Sequence, residues 1–143
     1  DARIAGVREA IARHGLDTPA DWIRLGAPSD PAFGRKLVAG GMADAIVCAN
    51  DDTAARLMKT LKSLGVAVPR QIRLAGFDDV KFATLVSPPL TTVHQPCREI
   101  AETAFRALLE RVAQPALPPR SLLLAPRLVV RESCGAYLPR APP

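Results

Sequence analysis

Asn50-Asp51-Asp52 and Asp78-Asp79 are the residues best equipped for chemistry, and each group closes a short apolar run. An asparagine side chain offers donors and an acceptor, and a carboxylate can accept from two hydroxyls at once. Arg3 adds a planar guanidinium fork near the start of the chain. Groups of this kind suit a site for sugars, nucleobases or small acids. Asn and Asp also occur at such places only to shape turns and helix caps, and for Asn50 and Asp78 both readings stay open at this point.

Covalent and cofactor chemistry find little support. No glycine-rich phosphate loop follows an apolar run, so neither a nucleoside triphosphate nor a dinucleotide cofactor is expected. No GxSxG elbow is present. His14 falls at the end of a helical pattern, where the helix dipole favours it. A hydrolase using Cys97 with His94 would need a nucleophile and base to align across a strand-to-helix turn, which such spacing seldom allows. Cys48, Cys97 and Cys134 are odd in number and widely spaced. That pattern argues against disulfides or a zinc site and for a reducing, cytoplasmic compartment. The expectation is a binding protein with no metal and no cofactor.

The polar groups need elements to position them. Ala45 to Asp79 reads as strand, helix, strand. Ile46-Val47 gives the first run a β-branched centre, as in a strand buried on both faces. Asp51 is expected to cap the following helix, in which Ala54, Leu57, Met58 and Leu61 form one apolar face. Gly65 is placed to end that helix, and Pro69 prevents its resumption. Ile72 to Phe77 is the second run. Two strands joined by a helix run parallel, so Asn50 and Asp78 should emerge on one rim, where open α/β sheets bind ligands.

The rest of the chain extends the alternation. Arg3 to His14 predicts a helix ended by Gly15, Trp22 to Gly26 a strand, and Ala32 to Ala39 a short helix. Val80 to Pro89 is irregular, Leu90 to His94 a strand, and Pro96 to about Ala113 a long helix with a stripe of Ala101, Ala104, Phe105, Leu108, Leu109 and Val112. Leu122 to Val130 is extended and broken at Pro126, and residues 135–143 read as a disordered tail. The fold class is α/β, an open, mostly parallel sheet flanked by helices. The 143 residues suit one domain, no run is long enough for a membrane span, and no membrane partner is expected. The net charge of +5 comes from scattered arginines, without the dense cluster that binding nucleic acid through this segment would need.

Four stretches in order carry a resemblance: AIVCANDDTA, VPRQIRLAGFDD, SPPLTTVHQP and PRLVVRESC. Together they resemble the C-terminal half of lactose/galactose repressor (LacI/GalR) family regulators. The resemblance implies a periplasmic-binding-protein-like C-terminal subdomain, here incomplete. It makes residues 1–134 part of an effector-binding and dimerisation domain, with residues 95–120 crossing in relatives to an N-terminal subdomain that this chain lacks. It implies effector contacts at Arg3, Asn50 and Asp78, and at Gln95 in the crossover. Many members stack an aromatic residue on the ligand after the strand expected at 22–26; this chain has Pro28 there and Phe33 further on, which leaves sugars or small acids. The implied partners are a small-molecule effector, a second copy in a homodimer, and operator DNA only through an absent headpiece. The helix after Asn50 and the Val80–Pro89 loop are expected at the dimer interface. The apolar stripe of the long helix should be covered by another copy or pack back on the chain. A periplasmic sugar-binding protein of the same fold is the alternative.

Overall fold

The computed structural model describes residues 2–16, 21–41 and 43–139. Helix α1 spans Ala2–Arg13, α2 spans Pro31–Val38, α3 spans Asp51–Ser63 and α4 spans Cys97–Ala113. Strands are β1 (Ala45–Val47), β2 (Arg73–Ala75), β3 (Thr92–His94) and β4 (Arg127–Val129). Short 3-10 turns cover Ala39–Gly41, Lys81–Thr84 and Glu132–Cys134.

β1 and β2 pair in parallel, with Ile46 opposite Leu74. Single parallel bridges, Ala75 to Thr91 and Asp78 to His94, join β2 to β3. β4 closes the row antiparallel to β3, with Val93 opposite Leu128. The order is therefore β1-β2-β3-β4, parallel except at its last edge.

The β1-α3-β2 unit takes the expected form. Ala54, Leu57, Met58 and Leu61 of α3 are buried, together with Ile72 and Leu74 beside and within β2. Arg56, Lys59 and Lys62 are exposed on the other face. Gly65 has φ +75°, and the Val66 and Gly65 amides return to the carbonyls of Leu61 and Lys62. That is the six-to-one and five-to-two closure that a left-handed glycine permits. The same closure ends α1, where Gly15 has φ +58° and Leu16 bonds the Ile11 carbonyl. Leu37 of α2, Cys48, Ala83 and Leu90 complete the core.

Several expectations need correction. Trp22–Gly26 is not a strand: an ion pair between Asp21 and Arg24 spans a turn, Leu25 is 92% exposed, and no ladder partner lies beside the segment among the described residues. β1 is not buried on both faces, because it stands at the edge of the row and Val47 is 63% exposed. The Leu122–Val130 segment does break at Pro126 as expected, and its paired part is confined to Arg127–Val129. Of the two covers expected for the α4 stripe, packing back on the chain is not the one found. None of the α4 residues is buried, and Phe105, Leu108, Leu109 and Val112 all lie in solvent. Of the expected tail, residues 135–138 form a turn closed by the Leu138 amide on the Gly135 carbonyl. Residues 140–143 lie outside the described residues.

Candidate functional site

The rim at the carboxyl ends of β1 and β2 holds the polar groups that the sequence pointed to. Asn50 sits just beyond β1, and its Oδ1 accepts from the Thr53 amide at 2.8 Å. Asn50, not Asp51, therefore caps α3, because the cap position is one residue earlier than expected. The cap consumes the acceptor of Asn50 and leaves its amide N–H donors for other use. Asp78 lies beyond β2, and the Gln95 amide donates to its Oδ1 at 2.6 Å. Arg3 reaches across from α1. It donates to the Ala49 carbonyl at 2.6 Å, and its guanidinium lies over the Phe77 ring at 5.4 Å. It thus contacts the residue before Asn50 and the residue before Asp78. All four residues meet at one rim, offering two kinds of amide donor, a carboxylate and a cation beside an aromatic face.

An open hollow of about 600 Å³ adjoins Asp78 and Gln95, lined also by Lys81, His94, Cys97 and Arg98. Arg3 and Asn50 are not in its lining. Cys97 is exposed there, whereas Cys48 is buried, with its thiol pushed up to about 12 by desolvation and by the charge of Asp51. Cys48 is therefore a packing residue and not a nucleophile.

Across residues 1–134 the sequence matches the periplasmic binding protein-like domain. The chain belongs to that family. A curated relative, the HTH-type transcriptional repressor PurR of Vibrio parahaemolyticus, is 37% identical over 92% of this chain and 40% of its own length. A LacI-family transcriptional regulator from Sanguibacter keddieii superposes with a TM-score of 0.81 and 40% identity, over 93% of this chain and 52% of that one. A LacI-family regulator from Lactobacillus casei with bound sucrose gives 0.73 and 28%, over 92% and 50%. The periplasmic binding protein-like domain here is thus of the LacI/GalR effector-binding type, and the chain spans about 40% of the length of the curated relatives it matches.

Behind the rim of this LacI-type domain lies a polar network that the sequence reading did not foresee. Asp51 is fully buried, accepting from the Thr92 hydroxyl at 2.6 Å and from the Val80 amide at 3.0 Å. Its own amide donates to the Phe77 carbonyl at 2.9 Å. Asp79 accepts from Arg131 at 2.6 Å and from the His94 Nδ1–H at 2.9 Å. An ionised carboxylate only accepts, so His94 must carry its proton on Nδ1. Arg131 also donates to the Leu90 carbonyl. The visible signal for this network was a second aspartate in GFDD and the lone arginine closing LVVR.

Burial pushes the Asp79 carboxyl up, but the hydrogen bonds and charges of Arg131 and His94 outweigh it and hold the group below its ordinary value. A depressed folded-state value means that ionised Asp79 stabilises the fold above about pH 4, and the contribution is lost as pH falls through the folded value. The stability gap between the parent and Asp79→Asn should therefore be widest near about pH 6 and shrink toward about pH 3. Urea unfolding across that range checks it, and a gap that widens in acid would contradict the pairing.

Proposed function

We propose that this chain is the effector-sensing and dimerisation part of a LacI-type, cytoplasmic transcriptional repressor. The observation that carries the reading is the convergence of Arg3, Asn50, Asp78 and Gln95 at the carboxyl ends of parallel strands. Asp78 keeps its second carboxylate oxygen for a ligand hydroxyl, while Gln95 orients the first. The Asn50 amide supplies a donor, and Arg3, held at the Ala49 carbonyl over Phe77, supplies positive charge. The ligand class is a sugar or small acid, in keeping with the sucrose-bound relative. Binding between this subdomain and the remainder of the full-length protein would change their relative angle, and linkage carries that change to operator affinity.

In the same reading, a homodimer forms through α3 and the segment after Asp79. Phe82 and Leu85 stand exposed there at 39% and 81%, as a docking patch would. The regulators among its relatives favour this reading over that of a periplasmic sugar-binding protein.

Calorimetric titration of the intact regulator with mono- and disaccharides, sucrose among them, and with sugar acids tests the proposal. One ligand should bind, and Asp78→Ala should weaken it about thirtyfold, the loss of one charge-assisted hydrogen bond. A ligand that binds equally well to Asp78→Ala would remove Asp78 from the site.

A further inference from the structure

Asp78 and Asp79 are consecutive non-glycine residues with positive φ, +118° and +59°. They are the only such pair among the described residues. Backbone in these regions persists only where its surroundings over-determine it, and such strain gathers at ligand clamps. The surroundings here are explicit. The Asp78 amide bonds the Val93 carbonyl at 2.9 Å, and the Val80 amide bonds Asp51. Between them, the Asp79 side chain turns inward to Arg131 and His94. Arg131 is itself fixed at the Leu90 carbonyl by its second nitrogen, and its amide bonds the Thr91 hydroxyl at 2.8 Å. With Asp79 pulled inward, the opposite swing of the backbone sends the neighbouring Asp78 carboxylate out to Gln95.

We propose that Arg131 is a positioning residue for the rim: acting through Asp79, it holds the strained turn that aims the Asp78 carboxylate at Gln95 and the ligand. Among the described residues, the side chain of Arg131 bonds Asp79 and the Leu90 carbonyl and reaches Asp78 and Gln95 only through Asp79. Its planar fork matters because one nitrogen takes Asp79 while the other takes Leu90, two points that a lysine would have to serve from a single nitrogen. The significance of Asp78 rests on the effector reading above, but the positioning can be measured without any ligand.

The experiment follows the Gln95 side-chain amide by NMR in the intact protein, assigned by its loss in Gln95→Glu, together with hydrogen exchange of the backbone. In the parent, the Gln95 amide pair should be shifted and slow to exchange, and the amides of residues 78–80 protected. Arg131→Met and Asp79→Asn should both return the Gln95 pair to the position of a free amide. They should also speed exchange at residues 78–80 about tenfold or more, with α3 little changed, since local opening is separable from global unfolding. Arg131→Lys should restore part of both signals. A Gln95 pair that stays put in either folded variant would overturn the proposal. If Arg131→Met does not fold, Asp79→Asn decides. Rapid, loop-like exchange of residues 78–80 in the parent would overturn it without any variant. Failure of every sugar to bind, with these signals intact, would instead sink the effector reading alone.

Discussion

Asp51→Ala should lower the unfolding free energy by about 3 to 4 kcal/mol, since each buried partner left without a hydrogen bond costs about 1–3 kcal/mol. Two partners are stranded: the Thr92 hydroxyl, itself fully buried, and the Val80 amide. The carboxylate also stands in the first turn of α3, where the helix dipole favours negative charge. Asp51→Asn should cost less, about 1 to 1.5 kcal/mol, because its oxygen can keep Val80 while the Thr92 hydroxyl rotates to accept from the new amide. The double variant Asp51→Ala with Thr92→Val should lose less than the two single losses combined, as expected for partners in one network. Urea unfolding followed by circular dichroism measures all of these. A loss below about 1 kcal/mol for Asp51→Ala would mean that the carboxylate is hydrated in solution rather than enclosed.

The same residue shows where the sequence was legible and where it was not. The helical periodicity of Ala54, Leu57, Met58 and Leu61 reported the buried face of α3 directly, since spacing alone decides which side chains share a face. The strand-helix-strand order likewise implied a parallel pair and a shared rim, which β1 and β2 form. The roles of neighbouring aspartates did not follow from spacing. In Asn50-Asp51-Asp52, one residue caps, one is buried and one pairs with Arg56 on the surface. Which does which depends on Thr92 and Val80, about 30 to 40 residues away, and long-range partners leave no local period. Trp22–Gly26 failed for a related reason. Strand propensity reflects fit to a neighbouring strand, and none lies alongside among the described residues. Asn50 and Asp78 stood out by residue type and by their place beside the apolar runs, and Arg3 by its fork near the start of the chain. Gln95 came from family resemblance alone, because its bond to Asp78 is long-range and leaves no local pattern.

Gly76→Ala should be nearly as damaging as loss of Asp51, at about 3 kcal/mol, the upper end of the usual cost of overpacking. Gly76 does not have a positive φ, so the demand for glycine here is steric. A Cβ would stand 2.2 Å from Asp51 Oδ1, 3.0 Å from a Leu90 methyl and 3.3 Å from the Asp51 Cα. The carboxylate cannot swing aside without releasing Thr92 or Val80, and the Gly76 amide is tied to the Thr91 carbonyl at 2.8 Å. The new methyl must therefore push α3 away from the turn that bears Asp78. Removing the obstacle should relieve it. In an Asp51→Ala background, adding Gly76→Ala should cost about 1 to 2 kcal/mol less than it does in the parent, a coupling typical of residues in contact. Strict additivity would show that the clash is with Leu90 or the helix backbone instead. The predicted coupling would show that a single aspartate oxygen reserves the space that only glycine leaves open.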